Sequence, residues 1–287
     1  MDDKYRWYLL KLKEHEILIR RSFDSFRDIG IEPVLFKGWV TAKFYPWGVP
    51  RFFSDTDLAV SKDDFDKARL FCQNDDIQSL NIDLHNEFRH LDSESWGDLF
   101  HRSQLIDLDG TAIRILSPED HLRIICVHWL NDGGAYKDRL WDIHYAVQNR
   151  QPDFDWDLCL NTTTTVRRRW IICAIGLAHR HLGLQIDDLS FADEAKIIPA
   201  WIEKALEKEW KSQVRLRPLI TCLHDRKLMF EQVRKRLPPN PIQSTIEMEG
   251  SFDAPSRVYY QLGGFFKRIA PATTKMFMML SIGRRSK

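Results

Sequence analysis

Asp55 and Asp57 stand one residue apart at the head of an apolar run, Leu58-Ala59-Val60, and a third acid, Asp83, lies within a second run from Ser79 to His85. Successive side chains on a strand alternate between faces, so Asp55 and Asp57 are expected to point the same way, close enough to share a hard cation. Two carboxylates held side by side repel unless something positive sits between them, and Mg²⁺, with its preference for oxygen, meets that need. In the later run Leu80, Ile82 and Leu84 fall on one face, and Asn81, Asp83 and His85 on the other. Three carboxylates on two adjacent strands can hold two metal ions, and such a pair clamps the attacking and leaving oxygens of a phosphoryl transfer.

Upstream, Val34-Leu35-Phe36-Lys37 breaks at Gly38. A glycine after a strand lets backbone N–H groups approach a phosphate with no side chain in the way. Lys37 beside it is a phosphate contact or a solvated strand-end lysine, and Arg51 in the connecting segment meets a phosphate or pairs with one of the aspartates. An isolated Asp-x-Asp is more often a solvated turn. Its place after a glycine turn and before another acidic strand favours a metal site. The other histidines, His121 with His128 and His179 with His181, lack a ligand spacing or a cysteine partner and read as core or surface residues. His85, two residues after Asp83 on the same face, either flanks an acceptor pocket or bonds a neighbour.

These residues resemble the DNA polymerase beta superfamily of nucleotidyltransferases, and within it a bacterial group known as uncharacterised nucleotidyltransferases. The resemblance is carried by Leu35-Phe36-Lys37-Gly38, Tyr45, Arg51, Asp55-Thr56-Asp57-Leu58, Ile82-Asp83-Leu84-His85, Ser117-Pro118-Glu119-Asp120, His128 and Leu140-Trp141-Asp142-Ile143. It covers about half the chain and implies Mg²⁺-dependent transfer of a nucleoside monophosphate from a nucleoside triphosphate to a hydroxyl acceptor, with release of pyrophosphate. ATP is the default nucleotide, and the acceptor is a small molecule, a peptide or a protein. Asp55, Asp57 and Asp83 are the expected catalytic and metal-binding residues, Asp83 also helping to deprotonate the acceptor. Lys37, Gly38 and Arg51 are the expected nucleotide contacts. Trp39 follows Gly38 where many superfamily members carry serine or glycine. That departure supports a second reading, a degenerate fold that binds a nucleotide or protein partner without turnover.

The 287 residues suffice for one large domain or two ordinary ones. A net charge of +1 provides no overall field toward nucleic acid, and DNA is not an expected partner. Five dispersed cysteines without a CxxC pair read as reduced thiols of a cytoplasmic protein. The opening Met1-Asp2-Asp3-Lys4 is too charged for a signal peptide, and no apolar run reaches the length of a membrane span.

The elements that must position these residues follow from periodicity. Residues 3–29 repeat apolar positions with a helical period and stop at Gly30. A short helix is expected from Trp39 to Tyr45, a surface helix from Asp63 to Phe71, and a turn from Gln73 to Asp76. Asp109-Gly110 predicts a hairpin joining Leu105–Leu108 to Thr111–Leu116. From Ser117 onward the pattern is helical. Ser117 is the cap, Pro118 the first helical residue, and Leu122, Ile125, Cys126 and Trp129 form a buried stripe. Further helices are expected at Lys137–Gln148, Asp155–Leu160, Val166–His181, Pro199–Lys211 and Pro218–Leu237. Ile242 to Pro255 reads as a polar loop. Tyr259 to Lys287 mixes Phe265, Phe266 and Phe277 with Lys267, Arg268, Arg284, Arg285 and Lys287, a composition suited to packing on the helices or to an acidic surface. The expected fold class is α+β: a small mixed nucleotidyltransferase sheet with flanking helices in a catalytic domain, residues 1–116, followed by an all-helical domain, residues 117–287, closing the cleft.

Overall fold

A computed structural model of the chain describes residues 3–212, 214, 216–222 and 224–268. It has a five-stranded mixed sheet, flanking helices and a helical C-terminal part, an α+β fold. The strands are β1 (Val34–Leu35), β2 (Thr56–Val60), β3 (Ile82–Asn86), β4 (Gln104–Leu108) and β5 (Thr111–Ile115), in the order β3-β2-β1-β5-β4. β1 runs antiparallel to β2 and parallel to β5, and β2 runs parallel to β3.

The first helix, Asp3–Asp28, buries Ile19, Phe23 and Phe26 against Leu35, Leu58, Val60, Ile113 and Ile115 on one sheet face. It ends where expected. Gly30 takes φ +72, its N–H donates to the Arg27 carbonyl, and the Ile31 N–H donates to the Phe26 carbonyl, which satisfies two carbonyls the helix leaves free. Asp109 and Gly110 both take positive φ and close the β4–β5 hairpin, with Leu108 opposite Thr111.

The opposite sheet face meets the Pro118–Asn131 helix, which begins with the Asp120 N–H donating to the Ser117 hydroxyl at 3.2 Å. Ile124 packs with Val34, Phe36 and Ala59 of the sheet. Leu122, Ile125, Cys126 and Trp129 join the core of the helical part. One helix thus serves both cores. At the same junction Asp120, fully buried, takes Arg102 Nε at 2.6 Å and Arg123 Nη1 at 2.9 Å, and Glu94 pairs with both arginines.

Several expected boundaries shift. The turn expected at Gln73–Asp76 holds at Gln73 and Asn74 and passes into a helical turn, Asp75–Gln78. The Lys137–Gln148 segment splits into a 3₁₀ turn, Lys137–Arg139, and a helix, Leu140–Gln148. The expected Pro218–Leu237 helix is interrupted, because Asp225 accepts the Leu228 N–H at 3.0 Å and starts a separate helix, Arg226–Arg236. The expected polar loop from Ile242 is corrected most. Pro241–Glu247 is a helix with Asn240 as its cap, and Ile242, Ile246 and Phe252 lie in the helical core. The i, i+4 pair of isoleucines after a cap and a proline encodes it, diluted among polar neighbours. Residues 258–268 are helical; Phe277, Arg284, Arg285 and Lys287 fall outside the described residues. Among the described residues no helix is long and apolar enough to cross a membrane.

Candidate active site

The acids sit on the sheet face that meets the Pro118–Asn131 helix. Leu35 is opposite Leu58, and the Phe36 N–H donates to the Asp57 carbonyl at 3.2 Å, which sets Phe36, Asp57 and Ala59 on one face. The parallel β2–β3 register then pairs Asp57 with Asp83 and Ala59 with His85. Side chains paired in this way on adjacent strands stand within contact distance.

Asp57 is nearly enclosed, its side chain 7% exposed, while Asp83 at the sheet edge is 55% exposed. One imidazole nitrogen serves both: His85 Nε2 lies 3.1 Å from Asp57 Oδ1 and 3.1 Å from Asp83 Oδ2. Lys37 Nζ donates to Asp57 Oδ1 at 2.9 Å and rests over the Phe36 ring. The Lys37 ammonium group offsets part of the carboxylate charge, and a protonated His85 would offset the rest. Burial alone drives the Asp57 carboxyl up, but the His85 hydrogen bond and the Lys37 charge outweigh it and hold the group below the ordinary range. Asp83 is lowered by its hydrogen bond to His85 against a smaller burial effect. Burial would lower His85, yet its two carboxylate partners hold it above the ordinary histidine value.

The turn before the short helix places Lys37. Lys37 itself adopts φ 57, Gly38 follows at φ +29, and the helix runs Gly38–Ala42. A Cβ on Gly38 would stand 3.5 Å from the Asp55 carbonyl, so this turn lies directly against the acidic segment. Trp39 points the other way. It is 5% exposed, packs with Ile19, Phe23 and Leu58, and donates from Nε1 to Glu16 at 3.3 Å.

Asp55 precedes β2 on a bend rather than sharing a strand with Asp57. It borders the same cavity, of about 320 Å³, as Lys37, Gly38, Arg51, Asp57 and Asp83. Among the described residues Asp57, Asp83 and His85 form a group whose ligand atoms lie within 4.8 Å of one another, and Asp55 is not in it.

Arg51 finds its partner far along the chain. Its Nε and Nη2 donate to the two oxygens of Asp142 at 3.1 and 2.9 Å, 91 residues away, and the Tyr45 hydroxyl donates to Asp142 at 2.6 Å. Arg51 is 6% exposed. The pair joins the loop ahead of Asp55 to the Leu140–Gln148 helix, while Thr41 Oγ1 and His121 Nε2, 3.0 Å apart, join the glycine turn to the Pro118–Asn131 helix. Arg167, Arg168 and Arg169 are spent internally: Arg167 on Asp92 and Glu249, Arg168 on Glu194, Arg169 on the Glu194 and Ile197 carbonyls.

The helical wall adds residues that sequence reasoning did not assign to the site. His128, Trp129, Asp132, Tyr136 and Arg139 border the cavity. The available signals were the place of His128 among the residues that carry the resemblance and its four-residue spacing from Asp132, one helical turn.

Fold and site together define an α+β protein with an acidic cleft between a mixed sheet and a helical wall. No protein-family model matches the chain, and neither does any curated protein. Among solved structures it is similar to an antigenic nucleotidyltransferase-like protein from Paracoccidioides brasiliensis, with 14% identity and a TM-score of 0.46 over 66% of this chain and 96% of that one.

Proposed function

We propose that the protein is a Mg²⁺-dependent nucleotidyltransferase that moves a nucleoside monophosphate from a nucleoside triphosphate, ATP by default, to a hydroxyl on a small molecule, peptide or protein, releasing pyrophosphate. The observation that carries this reading is the meeting of Lys37, Gly38, Arg51, Asp55, Asp57 and Asp83 around one cavity.

The donor set suits a hard divalent cation. Asp57 and Asp83 offer carboxylate oxygens close enough to meet on one ion, and Lys37 and His85 bond to those oxygens. With Asp55 they would hold two Mg²⁺ ions, which when bound offset the triphosphate charge and polarise the phosphorus under attack.

The chain's own groups do the rest. Lys37 brings an ammonium group to the phosphates, and Gly38 keeps the turn clear of a side chain. Arg51 gives its strongest donors to Asp142 and so positions the loop that ends at Asp55. Residues 1–116 form the catalytic domain in this reading, and residues 117–287 a helical domain whose first long helix closes the cleft. The binding-only alternative drew on Trp39, and that side chain is taken up by the core. The dispersed free thiols accord with a cytoplasmic enzyme.

Incubation with Mg²⁺, each α-labelled triphosphate in turn and cell extract tests the proposal. One nucleotide should label one fraction of the extract. Equal labelling by wild type and the Asp55→Ala/Asp57→Ala double variant would overturn it.

A further inference from the structure

The cavity that receives Asp57 and Asp83 from the sheet receives His128 and Asp132 from the opposite wall. His128 Nε2 stands 3.6 Å from Asp132 Oδ2, and the two side chains are 40% and 39% exposed. That separation is too long for a hydrogen bond and is the kind that tightens when a catalytic site fills. Packing does not account for the pair. The buried stripe of this helix runs through Leu122, Ile125, Cys126 and Trp129, and His128 lies off it. His121, on the same helix, shows the contrast: it is fully buried and bonded to Thr41.

The groups facing His128 come from every element around it. Asp132 ends its own helix, the His90 ring lies 6.4 Å away, Asp57 faces it from the sheet, Lys37 from the turn before Gly38, and Arg139 from the segment beyond. Desolvation by the cleft walls first, although the side chain remains 40% exposed, and then the positive charges of Lys37 and Arg139, hold the imidazole below the ordinary histidine value against the pull of Asp132 and Asp57. A neutral imidazole at neutral pH is a competent base.

We propose that His128, oriented by Asp132, is the catalytic base that takes the proton of the acceptor hydroxyl. The inference rests on the transferase reading and deepens it, leaving Asp83 to the metal. In the step, the hydroxyl oxygen bonds to the α-phosphorus as the bond from that phosphorus to the α,β-bridging oxygen breaks. Pyrophosphate leaves with that electron pair. The hydroxyl proton passes to His128 Nδ1, the Nε2–H facing Asp132.

The test follows transfer from α-labelled ATP with Mg²⁺ and cell extract for the full chain, between about pH 5 and 9. Wild type, His128→Gln, Asp132→Asn and Asp57→Asn are compared, with ATP affinity measured by equilibrium dialysis. His128→Gln should lose on the order of a hundredfold in rate or more while binding ATP within about twofold of wild type, and the acid limb of its pH profile should vanish. Asp132→Asn should keep that limb but displace it. A His128→Gln variant with wild-type rate and profile, beside a silent Asp57→Asn, overturns the inference and leaves the transferase reading standing. An Asp57→Asn variant as active as wild type removes both. Imidazole ¹⁵N NMR supplies an activity-independent readout: His128 neutral and protonated on Nε2 at neutral pH is expected, and an imidazolium or the Nδ1–H form overturns the assignment even if no extract fraction is labelled.

Discussion

Asp57 and Asp83 are register partners on parallel strands β2 and β3, and a single nitrogen of His85 lies 3.1 Å from a carboxylate oxygen of each. With Lys37 on Asp57, a compact group of charged and titratable side chains lies at the floor of the cleft. Its occupants set both the chemistry expected there and the response to pH.

Replacing Asp57 with Asn should slow the proposed nucleotidyl transfer by on the order of a hundredfold or more, since electrostatic stabilisation carries most of such a reaction. Single-turnover rates with saturating labelled nucleotide check this. A loss confined to KM would mean that Asp57 binds substrate without acting on the transition state.

Folding stability should depend on His85 with a definite sign. His85 binds its proton more tightly in the folded protein, so its contribution is complete below the ordinary value of 6.5 and is lost as pH rises through the raised native value. Asp57 and Asp83 act in reverse. Their contribution is present above the ordinary value of 3.8 and is lost as pH falls through their lowered native values. Urea titrations of wild type and His85→Gln should converge toward alkaline pH, and a gap that stays constant across the range would contradict the assignment.

Magnesium should stabilise the wild-type fold by mass action, by about 2.7 kcal/mol at a hundredfold excess over its Kd. Thermal melts with and without the ion report the shift, which Asp57→Asn and Asp83→Asn should each diminish. Equal shifts in wild type and both variants would place the ion elsewhere.

Breaking the buried Arg51–Asp142 pair from one side should cost about 3 kcal/mol, because the remaining charge loses its two-pronged partner, while the Tyr45 hydroxyl at 2.6 Å and Arg139 at 3.8 Å still support Asp142 when Arg51 is removed. Arg51→Met alone and Asp142→Leu alone should both be destabilised, and the double variant less so than the sum. Denaturant midpoints across this cycle measure the coupling. Additive losses would show that the two residues act independently.

Trp39→Ala should destabilise by roughly 3–5 kcal/mol, the cost of emptying a packed aromatic site, while leaving nucleotide affinity near wild type in whatever fraction stays folded. Calorimetric titration with ATP separates the two effects. A selective loss of affinity would give Trp39 a part in nucleotide binding at the Gly38 turn.

Local signals were legible in the chain itself. The period of Ile19, Phe23 and Phe26, the stop at Gly30, the Asp109-Gly110 turn and the Ser117-Pro118 start each act within a few residues and reappear as elements of the fold. The spacing of Asp55, Asp57 and Asp83 named residues that border one cavity. Tertiary structure alone decided who meets whom. Arg51 reaches Asp142 across 91 residues, His85 bridges two strands, Asp55 sits on a bend beside the acidic pair, and His128 faces the acids from a helix of the other core. Secondary structure answers to nearest-neighbour sterics and hydrogen bonds, which the order of residues specifies. Long-range charge pairing depends on which surfaces are brought together when two cores close on a shared helix, and no spacing along the chain encodes that geometry.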